Sequence, residues 1–311
     1  MWVSLALFLL GLLTALAAPR PLSRADWVER EPVVALWVWQ CVVAAVLLSF
    51  ALSMTFSASA AWQAVRGRLF APAPRAVVDA YELGTTGPWS AVLAVALAAG
   101  GVWSGAMLGR EIGLARARLR RRRHDLLARV PLLPGEEPDG ERLVVLEGER
   151  AGAWWMPGPT PRLVVTTAAL RRLKGRQLDA VLAHEQGHAR ARHDWLLHCS
   201  AALAAGFPGV PVFAAFREEM HRLVELAADD VASRRFGRLT VALALVGLNE
   251  ERGVFGPGPG PDAGLPQRVD RLLAAAPRLT AGRRLRLTAT ASLVPVVPVL
   301  VAFLPAFGAL G

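Results

Sequence analysis

The sequence predicts a mostly α-helical, polytopic membrane protein with about four transmembrane helices and a cytoplasmic α+β domain inserted before the last span. Three observations carry that expectation. Hydrophobic residues make up 54% of the chain and charged residues only 19%, with a mean hydropathy of +0.37, which is too apolar for an ordinary soluble domain. Apolar runs of bilayer-spanning length lie at residues 2–18, 33–54, 89–108 and 287–311. Arginines crowd both ends of the segment 110–286: Arg110, Arg116, Arg118 and Arg120 to Arg123 at its start, and Arg278, Arg283, Arg284 and Arg286 at its close. The positive-inside rule therefore places 110–286 in the cytoplasm, and counting crossings puts both termini and the loop 57–88 outside. That outer loop carries Arg66, Arg68 and Arg75, so the asymmetry is one of degree.

In chain order, residues 1–109 hold the first three spans. Run 2–18 has no basic residue ahead of its apolar core, which favours a retained span over a cleaved signal peptide. Run 33–54 carries Trp37, Trp39 and Phe50 near its ends, where aromatic rings favour the headgroup level. In 89–108, Gly100, Gly101 and Gly105, followed by Gly109, have the small-residue spacing that lets helices approach. The arginines that follow lack interleaved aromatics and any nucleic-acid-binding module. Contact with the anionic headgroups of the lipid bilayer explains them, and no direct nucleic-acid partner is expected. Cys41 and Cys199 are isolated in apolar runs and imply no disulfide framework.

Residues 131–140 form a loop rich in Pro, Gly and acidic residues. Two short strands are expected at 142–146 and 162–166, separated by the turn signals Pro157, Gly158, Pro159 and Pro161. Thr167 is positioned to cap a helix running to Leu173, which Lys174 and Gly175 close. The next helix starts near Gln177 and contains His184-Glu185-Gln186-Gly187-His188. Positions i and i+4 share a helix face, so both imidazoles can reach one ion. Glu185 sits about 100° round the helix from His184, placed to deprotonate an attacking water and not to ligate. Apolar Leu178, Val181 and Leu182, acidic Asp179 in the first turn, and Arg190, Arg192 and His193 in the later turns fit a helix.

A third ligand is expected from a helix over 217–230. There Glu225 and Asp229 form E-x-x-x-D, with the Glu reaching the metal and the Asp accepting from the far nitrogen of a ligand His. The competing reading is a solvated acidic stripe neutralised by Arg217, Arg222, Arg234 and Arg235, and the upstream histidine pair weighs against it. Between the two helices, 195–216 is long and apolar enough to span, yet one crossing would part His184 and His188 from Glu225. Pro208, Gly209 and Pro211 break the run, which predicts a membrane-apposed hairpin; a hairpin in a soluble core is the alternative. An apolar helix at 239–248, a Pro/Gly loop at 256–264, a short helix at 267–273 and the last span, softened by Pro295, Pro298 and Pro305, complete the chain.

Four stretches, 153–158, 162–167, 178–188 and 225–229, taken in this order, resemble the gluzincin metallopeptidases, and within them the BlaR/MecR-type membrane-bound sensor-transducer peptidases. The resemblance implies one Zn2+ per chain held by His184, His188 and Glu225, with Glu185 as general base and Asp229 orienting a ligand His. It implies an edge strand along the cleft, assigned here to 162–166, and a basic residue near the cleft that steadies the oxyanion, with Arg268 and His221 as candidates. Asp194 is a further candidate for orienting a ligand, one residue further from His188 than in better-known members. The implied function is a signal-transducing zinc metalloendopeptidase of the cell membrane. Its protein substrate would be a cytosolic winged-helix repressor of the BlaI/MecI type, with self-cleavage and a homodimer left open. Beta-lactam sensors carry a penicillin-binding domain acylated at a Ser three residues before a Lys. The single lysine here, Lys174, follows Arg171 at that spacing, so the expectation is a transducer lacking that C-terminal sensor domain. An HtpX-type quality-control peptidase and a catalytically silent membrane scaffold are the alternatives.

Overall fold

The protein is described by a computed structural model covering residues 2–66, 88–129, 143–156, 162–249, 264–274 and 277–310. The expected loops at 131–140, at 157–161 and over most of 256–264, and most of 57–88, lie outside these residues.

Apolar stretches become helices because only a helix satisfies every backbone group within a single segment. Helix α1 (Trp2–Ala17) passes through α2 (Pro19–Ser23) and α3 (Trp27–Arg30) to α4 (Pro32–Arg66). Among the described residues, Trp2–Ser23 and Pro32–Ala58 are long and apolar enough to cross a membrane. The first lies close against the second: a Cβ on Gly11 would meet Ser49 Cβ at 3.0 Å, and Ser53 Oγ donates to the Ser4 carbonyl at 2.7 Å.

Helix α5 (Pro88–Arg129) takes in the expected span 89–108 and continues unbroken through the arginine run. The boundary expected at 109/110 thus falls inside a helix, because no proline interrupts it and arginine is a good helix former. Of the expected small-residue stripe, Gly101 alone makes a close approach, to Met54 of α4; Gly100, Gly105 and Gly109 face open space.

Three strands follow, β1 (Leu143–Leu146), β2 (Ala153–Met156) and β3 (Arg162–Thr166), in the order β1-β3-β2, with β1 parallel and β2 antiparallel to β3. This corrects the assignment of 162–166 as the edge strand. Leu163, Val164, Val165 and Thr166 are all buried, the pattern of a strand covered on both faces, so β3 is central and β2 is the edge. Helix α6 (Thr167–Arg172) is capped by Thr166, whose Oγ1 accepts from Ala169 N at 3.2 Å, one residue earlier than expected. Helix α7 (Arg176–Ala191) begins after Gly175, whose φ of +51° favours glycine.

The apolar run 195–216 does fold as a hairpin. Helix α8 (His193–Gly206) ends before a reversal at Gly209 (φ +87°), and α9 (Pro211–Phe236) returns. Its legs bury Leu196, Leu203, Val212, Phe213 and Phe216 in one cluster with Trp39, Val42, Val43 and Val46 of α4, and a Cβ on Gly206 would meet Leu108 Cα of α5 at 3.5 Å. The hairpin is therefore laid against the apolar helices. Its second leg runs without a break into the stretch that carries Glu225.

Helix α10 (Arg238–Asn249) and α11 (Leu265–Ala274) close over α7, burying Val241, Leu245, Leu265 and Leu272 against Ala180, Ala183 and Ala232. The last apolar segment differs from the single helix expected over 287–311. It consists of α12 (Ala281–Leu293) and α13 (Val296–Leu310), whose axes bend by 44°. Pro295 lies at the break, where it has no N–H for a helical bond. The pair passes as one span by length and composition if counted together.

Candidate metal centre

Two crossing helices make the site. Gly187, inside the histidine motif, faces α9 so closely that a Cβ there would meet Val231 Cβ at 3.4 Å and Ala228 Cα at 3.5 Å. This approach brings Glu225 against the histidine face of α7. His184 Nε2 and His188 Nε2 are 3.1 Å apart, and they lie 3.5 and 3.4 Å from the two carboxylate oxygens of Glu225. Zinc bonded tetrahedrally to nitrogen and oxygen at 2.0–2.1 Å would separate its ligands by about 3.3 Å. The two imidazole nitrogens stand close to that spacing, each has one Glu225 oxygen near it, and one atom from each of the three residues lies within 4.8 Å of the others, so the group fits a shared ion. Two imidazole nitrogens facing each other with a carboxylate is also the donor set a borderline-soft dication selects.

Behind the ligands, His184 Nδ1 lies 3.0 Å from Asp229 Oδ1, close but without the alignment of a hydrogen bond. Asp229 has no exposed surface. It also accepts from Arg268, Nε to Oδ2 at 2.8 Å and Nη2 to Oδ1 at 2.7 Å, while Arg268 Nη1 is 2.7 Å from Glu225 Oε2. All three guanidinium nitrogens of Arg268 are engaged by carboxylates of α9. Arg268, an expected oxyanion candidate, reaches the site and holds both acids. The other candidate, His221, is exposed one turn before Glu225, and among the described residues no hydrogen bond ties it to the ligand group.

These contacts set the charge states. Burial lowers the His184 pKa, but Asp229 and Glu225 outweigh it and lift it to about 10. Burial pushes His188 down to about 3. Burial also raises Glu225 and Asp229, and contacts with His184 and Arg268 overcome it to hold both below the usual carboxylate range. Glu185 is pushed up by burial to about 7, against the opposing pull of His184. Its Oε2 accepts from the Trp155 backbone N at 3.0 Å, so the edge strand β2 is tied to the expected base.

Two participants were not legible as such. The first is β2, whose Trp-rich stretch was read as part of a resemblance and not as a strand. The second is His193, 4% exposed, with Nδ1 3.0 Å from His188 Nδ1. Burial lowers its pKa to about 4. The neighbour expected at this place, Asp194, is the second residue of α8, and its carbonyl accepts from His198 Nδ1. The signal was the fifth position after His188, which holds a histidine. A cavity of about 850 Å³ opens on the other side of the ligands, walled by Trp154, His184, Glu185, Glu225 and apolar Leu245 and Leu248 of α10.

Residues 116–214 match peptidase family M48. It is a metallopeptidase family, and the matched stretch takes in β1 to β3, His184, Glu185 and His188 but ends before Glu225 and Asp229. No curated protein and no solved structure matches the chain. The M48 likeness and the apolar N-terminal helices together point to a membrane metallopeptidase.

Proposed function

We propose that the protein is an integral-membrane zinc metalloendopeptidase whose ion is held by His184, His188 and Glu225. The observation that carries this reading is the convergence of three donors, one atom from each of His184, His188 and Glu225, within 4.8 Å of one another, with a carboxylate one residue from the first ligand. Bound zinc supplies Lewis-acid polarisation of a carbonyl and lowers the pKa of a water. Glu185, at about 7, is placed to take the proton from the attacking water and return it to the leaving amine. Asp229 and Arg268 keep His184 and Glu225 in place. Substrate lies extended along β2, the edge strand whose Trp155 N–H is held by Glu185, and pairs with backbone groups of that edge. Leu245 and Leu248 give the cavity an apolar wall for a neighbouring side chain.

The site sits on the cytoplasmic side, and both termini lie outside. The link between the first two apolar helices supports this, because Arg222 of α9 pairs with Glu29 at 2.9 Å and Arg271 of α11 donates to the Glu29 carbonyl at 2.7 Å. The same link carries Arg20, Arg24 and Arg30, the charge that favours the inside. For the substrate, the BlaR/MecR resemblance favours a cytosolic BlaI/MecI-type winged-helix repressor, cleaved as the output of a signal. The M48 match favours a second reading, HtpX-type cleavage of membrane proteins. Co-expression of full-length wild type or Glu185→Gln with a BlaI-type repressor, or with a misfolded membrane protein, separates the two. Cleavage of neither by a zinc-loaded wild type would remove both substrate readings, and absence of zinc from purified wild type would remove the enzyme.

A further inference from the structure

The contact behind His188 differs in kind from that behind His184. Arg192, the one described non-glycine residue with positive φ (+52°), ends α7 and begins α8. A left-handed turn at a side-chain-bearing residue is uncommon, and here it folds the first residue of α8 back under the last turn of α7. It places His193 with its ring edge-on to His188, centroids 4.9 Å apart and planes at 82°.

Two ring nitrogens 3.0 Å apart make a hydrogen bond only when one carries the proton. His188 Nε2 faces the ligand group, 3.1 Å from His184 Nε2 and 3.4 Å from Glu225 Oε1. As a ligand it is unprotonated there, so its proton sits on Nδ1 and is donated to His193 Nδ1. His193 then carries its own proton on Nε2, and the residue lines a cavity of about 1010 Å³ between α4, α12 and the back of α7. We infer that His193 is a positioning residue of the metal centre, fixing the tautomer and ring plane of His188 through a neutral acceptor, whereas the ring of His184 has the charged Asp229 carboxylate 3.0 Å away. This rests on the metallopeptidase reading, since it takes His188 as a ligand. The two histidines are thereby made unequal: a carboxylate raises the basicity of one, and a neutral imidazole only orients the other.

The test uses the full chain purified in detergent, with zinc affinity read by chelator competition and folding by circular dichroism. His193→Phe removes the acceptor and is expected to weaken zinc binding about 10- to 100-fold. His193→Gln, whose amide oxygen still accepts, is expected to recover most of that loss, and Asp194→Ala to stay near wild type. Nitrogen-15 spectra of histidine-labelled, zinc-loaded wild type are expected to show His193 protonated at Nε2 and bare at Nδ1. Binding by folded His193→Phe equal to wild type, or a proton on His193 Nδ1, overturns the inference. Should His193→Phe fail to fold, the wild-type spectrum decides alone. Failure of wild type to bind zinc would instead strike the metallopeptidase reading itself.

Discussion

Replacing Arg268 by Met tests whether this side chain is a clamp or a substrate-facing donor. It makes two charge-assisted hydrogen bonds of 2.7 and 2.8 Å to Asp229 and a 2.7 Å ion pair to Glu225. Asp229 is fully buried and Arg268 is 16% exposed, so little solvent screens the pair. Removing the guanidinium leaves a buried carboxylate with His184 alone, and breaking a buried pair from one side costs about 3–5 kcal/mol. That loss is expected in denaturant unfolding of the metal-free protein in detergent. Because Asp229 also orients His184, zinc affinity is expected to drop about 10- to 100-fold. A cycle with Asp229→Asn should show the double variant less destabilised than the sum, with coupling of about 1–3 kcal/mol. An Arg268→Met protein as stable as wild type, with intact zinc affinity and a reduced cleavage rate, would refute the clamp and return Arg268 to the oxyanion role.

Glu185→Gln keeps the shape and removes the base, so zinc content should equal wild type while turnover falls about 10²- to 10⁴-fold; a loss of zinc would mean that Glu185 ligates. Gly187→Ala adds a Cβ at ordinary contact distance from Val231 and should bind zinc normally. Gly187→Val overpacks the same crossing by about 1–3 kcal/mol and should lower zinc occupancy by moving Glu225 away; equal occupancy in both variants would show that this crossing does not set the site. Phe216→Ala empties a position 2% exposed beside Trp39 and should cost about 3–5 kcal/mol in unfolding experiments, since it joins the hairpin to α4. Glu29→Ala removes an exposed pair with Arg222 and should change stability by about 1 kcal/mol or less; a larger loss would mark this link as a structural anchor.

The sequence by itself determined the motif helix and the placing of His184, Glu185 and His188 on it. A span of i and i+4 histidines is a local property of one helix, so His184, His188 and the flanking Glu185 could be read without tertiary knowledge. The apolar runs were legible for the same reason, since the need to satisfy backbone groups in an apolar setting acts residue by residue. Pro208, Gly209 and Pro211 were likewise legible as the reversal within 195–216, because a chain break of that kind is local.

Only the tertiary structure decided what depends on which elements meet. Strand order is a matter of pairing, and a four- or five-residue apolar run looks alike at the centre or the edge, so 162–166 proved central where an edge was expected, and β2, not expected as a strand, lies at the edge. Arg268 lies 39 residues beyond Asp229, and whether its guanidinium meets a carboxylate or a substrate depends on how α11 packs on α9. His193 and Asp194 are neighbours in sequence, and the left-handed turn at Arg192 selects which of them lies under His188. The break at Pro295 was visible as a proline, but its 44° bend, with α12 and α13 both packed against α4, was not.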